Sequence, residues 1–134
     1  MLVCVKDESP AGLSLYEMSL EFLTERITVR DLLRERVHHE VREFNRHEDK
    51  TVFNGLVQPD DTEQVLDGRR TEYRLKSHRT IDWEAQFSHA VEAFAKNAFF
   101  ILIDDKQAES LDQEFMIGPV TNVTFVKLVP LVGG

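Results

Sequence analysis

Thr28 and the residues after it constrain the fold more than any other stretch. Thr28 followed by Asp31 reads as an N-cap with an acidic residue in the first helical turn, which suits both capping and the helix dipole. From there Val29, Leu32, Leu33, Val37, Val41 and Phe44 recur at intervals of three or four, one apolar stripe over about four turns. Arg30, Arg34, Arg36, Arg42 and Arg46, with Glu35, Glu40 and Glu43, are expected on a solvated face where the charges balance. A helix apolar along one side must bury that side against another layer.

The flanking segments supply that layer. Residues 1–6 read as a short strand, apolar on both faces, and Ser9-Pro10-Ala11-Gly12 marks residues 7–12 as a loop. Residues 14–23 alternate well enough for a strand paired back as a hairpin. Leu13, Leu15 and Leu23 share a parity that Leu20 and Phe22 do not, so a bulge near Met18 is expected. Residues 47–80 form an excursion in which short apolar pieces (Thr51-Val52-Phe53, Leu56-Val57, Val65-Leu66 and Tyr73-Arg74-Leu75) sit among turn signals and are expected to pin it to the body, with room for a small hairpin. A second stripe, Trp83, Phe87, Ala90, Val91, Phe94 and Ala98, predicts a helix over about 82–97, capped by Thr80 or Asp82.

Residues 99–103 are a continuous apolar strand expected to be buried on both sides, turned by Asp104-Asp105-Lys106 into a short return. Leu111, Phe115 and Ile117 anchor a further crossing, and residues 122–129 form a final strand covered on both faces. No internal repeat is present. The order of elements predicts an α+β fold, a mixed sheet curled around one main helix, with a second helix and an inserted excursion. The final strand is expected beside the first, so that the last few residues of the chain project from one rim.

The composition excludes several functions. With 24 acidic against 16 basic residues and a net charge of −8, the chain lacks the basic footprint of a nucleic-acid binder. No apolar run approaches the roughly 18–20 residues that span a bilayer, and Lys6, Asp7 and Glu8 interrupt any leader, so a cytoplasmic protein is expected. The single cysteine, Cys4, rules out an internal disulfide and reads as a buried structural thiol. His38, His39, His47, His78 and His89 show no ligand spacing, and in His39-Glu40-Val41-Arg42-Glu43 a glutamate stands where a zinc-protease helix needs its second histidine. No catalytic residue, metal site or bound cofactor is expected.

The chain closes on Pro130-Leu131-Val132-Gly133-Gly134. Two residues without Cβ make a slim lead that can thread a narrow cleft and present its carboxylate to another enzyme. Pro130 cannot donate to a sheet ladder, which helps release residues 130–134 as a flexible tail. The helix entry Ile27-Thr28-Val29-Arg30-Asp31-Leu32-Leu33 resembles that of the prokaryotic sulfur carriers and modifiers of the ubiquitin-like β-grasp superfamily, among them the small subunit of molybdopterin synthase and the thiamine-biosynthesis sulfur carrier. The stretch Ile101-Leu102-Ile103-Asp104-Asp105-Lys106-Gln107-Ala108, then Leu111, Val123-Thr124-Phe125 and the Gly-Gly ending, is similar to the second half of the same family. The likeness covers roughly residues 1–46 and 82–134, and Asp104-Asp105 stand where Asn-Gly is common.

The resemblance implies a single β-grasp domain over residues 1–134 with an insertion at 47–80. It implies no catalysis by the chain itself. An activating enzyme would spend ATP to adenylate the Gly134 carboxylate, and a sulfur donor or a cysteine of that enzyme would then attack. The product would be a thiocarboxylate handed to a sulfur-acceptor protein, or a thioester passed to an amine of a conjugation partner. The other class of function is a noncovalent β-grasp module, docking through the excursion and one sheet face. No nucleic-acid or membrane partner is expected.

Overall fold

A computed structural model of the chain describes residues 1–53, 55–59, 63–67, 70–75 and 77–128, without the side chains of residues 63–67 and 70–73. The elements run β1 (Leu2–Glu8), β2 (Ser14–Glu21), β3 (Arg26–Thr28), α1 (Val29–Arg46), β4 (Glu63–Asp67), β5 (Arg70–Arg74), α2 (Trp83–Ala95), β6 (Phe99–Ile103), β7 (Lys106–Gln107), β8 (Glu114–Met116) and β9 (Asn122–Lys127). The architecture is α+β. Five strands form a mixed sheet in the order β2-β1-β9-β6-β7. β1 and β9 lie parallel at its centre, while β2 pairs antiparallel with β1 and β6 antiparallel with β9.

One face of the sheet is buried. Val3, Val5 and Asp7 of β1, Met18 and Leu20 of β2, Val123 and Phe125 of β9, and Phe99, Ile101 and Ile103 of β6 all point inward. Helix α1 covers them with Val29, Leu32, Leu33, Val37, Val41 and Phe44, so the expected stripe is the core face. The expected capping box is present: Thr28 Oγ1 accepts from Asp31 N (3.1 Å) and Asp31 Oδ2 accepts from Thr28 N (3.0 Å). The next free N–H groups of the helix, on Val29 and Arg30, donate to the carbonyls of Gln113 and Leu111. This docks the helix start on the loop before β8 and satisfies donors that an isolated helix would leave open.

Several expectations need correction. β1 continues through Asp7 and Glu8, and only one of its faces is buried, with Leu2 left 61% exposed. The bulge lies at Leu15, where the register passes from Asp7↔Tyr16 to Glu8↔Ser14, and not at Met18. That position still brings Met18 and Leu20 onto the core side. The outer faces of β6 and β9 are half-buried rather than covered. The pairing of β3 with β8 was not anticipated, since each is only three residues long.

The excursion does carry a hairpin, β4–β5, tied to residues 51–52 of the same excursion by the Val52↔Arg74 bridge and a Leu75 N to Thr51 carbonyl bond. Phe53, Leu56 and Leu75 are buried in the main core. Helix α2 packs along α1, with the His38 ring tilted against Trp83 (ring centroids 3.9 Å apart) and Arg34 over Phe87. Its fully buried members are Ala90 and, unexpectedly, Gln86, whose Nε2 donates to the Val57 carbonyl. It ends in a Schellman arrangement, Asn97 at φ 59° with Ala98 N bonded to Ala93 O and Asn97 N to Phe94 O.

The β6–β7 turn places Asp104 and Asp105 at φ 47° and 69°, both left-handed, as a two-residue hairpin loop demands. Asp104 gains from this, because its Oδ1 accepts from Asn122 N at 2.9 Å. The exposed Asp105 side chain makes no comparable bond among those described. Asp105→Gly should therefore stabilise the fold by about 0.5–1 kcal/mol, read as a small rise in thermal midpoint. Asp104→Gly should not, because it also removes the bond to Asn122.

Candidate functional site

Pro130, Leu131, Val132, Gly133 and Gly134 lie outside the described residues. What the structure describes is the rim to which they are joined. β9 runs toward that rim beside β1, and at its end two contacts hold it: Leu128 N donates to the Ala98 carbonyl (3.3 Å), and Lys127 Nζ donates to the Gly55 carbonyl (3.0 Å).

The outer face of the sheet next to this rim is apolar. Phe100 of β6 sits opposite Val126 of β9, with Leu102 opposite Thr124 one step away. All four are half-buried, and Leu128 beyond them is 37% exposed. Toward β1 and β2 the same face turns polar through Lys6, Glu8, Glu17 and Ser19. Cys4 lies on this face rather than in the core, half-buried, its Sγ donating to Glu17 Oε1 at 3.0 Å. The bond to Glu17, followed by burial and the carboxylate's charge, pushes the Cys4 thiol above its ordinary value of 9.0. A thiol held protonated in this way is a poor nucleophile.

Beneath the opposite face is a cluster of buried charge. Arg36 is 0% exposed, Asp7 2% and Glu40 7%. The Arg36 guanidinium forks onto Asp7, Nη2 to Oδ2 at 2.6 Å and Nη1 to Oδ1, and its Nε donates to Glu40 Oε1 at 2.6 Å. Its plane lies over the Phe125 ring, with Cζ 4.5 Å from the centroid. Burial alone would pull the Arg36 pKa down, but Glu40 and Asp7 outweigh it and hold the group above its ordinary value. The solvated face expected for Arg36 and Glu40 is thus wrong. Both fall at stripe spacing (positions 29, 33, 36, 40 and 44 share one side of the helix), and their i,i+4 relation was the available signal.

The triad carries a residual negative charge that Lys127 balances. Burial lowers the Lys127 pKa below its ordinary 10.5, Asp7 and Glu40 act to raise it, and Arg36 acts to lower it. The link between triad and lysine is a single peptide unit. Leu56 N donates to Glu40 Oε1 (3.0 Å), and the carbonyl of that same unit, Gly55 O, accepts from Lys127. The N–H and C=O of a planar trans peptide point in opposite directions, so one unit serves an anion at one end and a cation at the other.

The remaining candidates bring no chemistry together. His38 lies tilted against Trp83, His78 stacks on Phe44, and His78 Nδ1 donates to the Lys50 carbonyl. Among the described residues no group of three His, Cys, Asp or Glu is placed to hold a metal ion, and no helix is long and apolar enough to cross a membrane. A groove of about 320 Å³ at the start of α2 is lined by residues including Arg79, Asp82, Gln86 and His89. Compared with known proteins, the chain matches no family model, no curated sequence and no solved structure.

Proposed function

We propose that this chain is a ubiquitin-like β-grasp sulfur carrier that works through its Gly134 carboxylate. The observation that carries the reading is the strand order, two outer antiparallel pairs around a parallel β1–β9 centre with α1 across one face. This is the order expected of a β-grasp, and it puts the strand that precedes the Gly-Gly pair at the middle of the sheet. The half-buried apolar row of Phe100, Leu102 and Val126 beside the same rim suits docking of an activating enzyme's apolar surface.

The chemistry is supplied by partners. The Gly134 carboxylate attacks the α-phosphorus of ATP held by the activating enzyme and expels pyrophosphate. A hydrosulfide-level donor then adds to the acyl carbon and AMP leaves, so that one sulfur replaces one oxygen and the chain ends in a thiocarboxylate. Glycine offers the acyl carbon the least steric hindrance of any residue. An adenylate is needed because a free carboxylate would have to expel oxide.

The test is ATP–pyrophosphate exchange by the activating enzyme in the presence of the full chain, followed by intact-mass measurement. Exchange that vanishes on deleting Gly134, with a mass gain of one sulfur for one oxygen, is the expected result. Exchange followed by attachment to lysine amines would make the protein a modifier. Partner binding without exchange would make it a noncovalent module and overturn the carrier reading.

A further inference from the structure

We propose that the strap formed by residues 51–53 and 55–57 is a clamp on the root of the tail, and that Lys127 is a positioning residue for activation of Gly134. The second half of this statement rests on the carrier reading above; the first does not.

The strap is locked to the body from beneath. Phe53 is 2% exposed and meets Phe44 edge-on, and Leu56 is 7% exposed. Thr51 is tied to Leu75 and Val52 to Arg74, so the strap is continuous with the β4–β5 hairpin. From this anchored position the Gly55–Leu56 peptide reaches Glu40 on one side and Lys127 on the other.

Lys127 alternates inward with Val123 and Phe125, which turns its ammonium toward the strap and the Asp7–Arg36–Glu40 charges. The bond is charge-assisted and half-shielded from water, which makes it stronger than a surface contact. Leu128 is then held to Ala98. Residues 127 and 128 are therefore each held, one by its side chain and one by its backbone N–H, and Val129 comes immediately after them in the chain. The anchored excursion gives the described end of β9 a defined position, and a strand end that is already fixed loses less freedom when a partner binds there.

The experiment compares the full chain with Lys127→Met and Lys127→Arg. Amide hydrogen exchange at Leu128 reports the clamp directly, with Leu102, paired with Thr124 in the same ladder, as the core reference. In Lys127→Met, exchange at Leu128 relative to Leu102 should accelerate by more than about tenfold, the equivalent of one charge-assisted hydrogen bond. Lys127→Arg, which still offers a cationic donor to Gly55, should restore protection. Equal protection of Leu128 in all three proteins would overturn the clamp.

In pyrophosphate exchange, Lys127→Met should raise the KM for this protein several-fold at unchanged kcat, and Lys127→Arg should recover it. Unchanged KM with a loosened Leu128 would overturn the positioning role. If the unaltered chain supports no exchange at all, the carrier reading falls, while the amide measurement still decides the clamp.

Discussion

Replacing Arg36 by methionine should cost about 3–5 kcal/mol of folding stability, because it leaves the Asp7 and Glu40 carboxylates buried without their cation. For a domain whose whole stability is about 5–15 kcal/mol, this is about a fifth or more of the total. In urea the midpoint should fall with the slope unchanged, and the thermal midpoint should drop by roughly 10–20 °C. The loss is a penalty for stranded charge, not a measure of what the triad contributes. Replacing Asp7, Arg36 and Glu40 together by apolar residues of similar volume should therefore recover most of it.

The recovery should be incomplete, because Leu56 N–H then loses its acceptor, at about 1–3 kcal/mol, and Lys127 loses both carboxylates that favour its charge. Arg36→Lys should behave more like the methionine variant than a conservative change, since an ammonium cannot fork onto Asp7 while reaching Glu40. A loss below about 1 kcal/mol for Arg36→Met would mean that water reaches the triad, and would remove the basis for treating it as a dry network.

Gly55→Ala should cost about 2–4 kcal/mol although its backbone is not in the left-handed region. The added methyl would sit 2.1 Å from Phe53 Cε1 and 2.7 Å from Cζ. The Phe53 ring is packed against Phe44 and cannot swing aside without leaving the core. Either Phe53 gives up its burial or the Gly55–Leu56 peptide turns away from Glu40 and Lys127. A double-mutant cycle identifies the cause: in a Phe53→Ala background the same alanine should cost less than about 1 kcal/mol. An equal cost in both backgrounds would place the strain elsewhere than the ring.

Local interactions were legible in the sequence. The Thr28–Asp31 capping box needs only its own turn, and the α1 and α2 stripes need only helical spacing. The turn at Asp104-Asp105 rests on side chains that tolerate positive φ. The strand order could be anticipated in part, since an apolar strand at each end of the chain favours a central pair. The excursion's hairpin was suggested by its turn residues, and its anchoring by the apolar pieces that hold Phe53, Leu56 and Leu75 was expected too, whereas its contact with β9 was not.

The buried triad was missed because a charge pattern does not reveal which charges will be paired. Arg36 stands at stripe spacing and the exposed Arg34 does not, but spacing alone does not supply the partner that burial of a charge requires. That partner is Asp7, 29 positions away on β1, and pairing at that separation exists only once the sheet and helix are packed. The same holds for Lys127 and Gly55, 72 positions apart. Sequence by itself determined the helices and the turns, consequences of forces acting within a few residues, and through their order the α+β class. Tertiary structure alone decided which charges are buried, which peptide bridges them and what holds the end of β9. Burial and its electrostatic cost depend on neighbours that only the folded chain brings together.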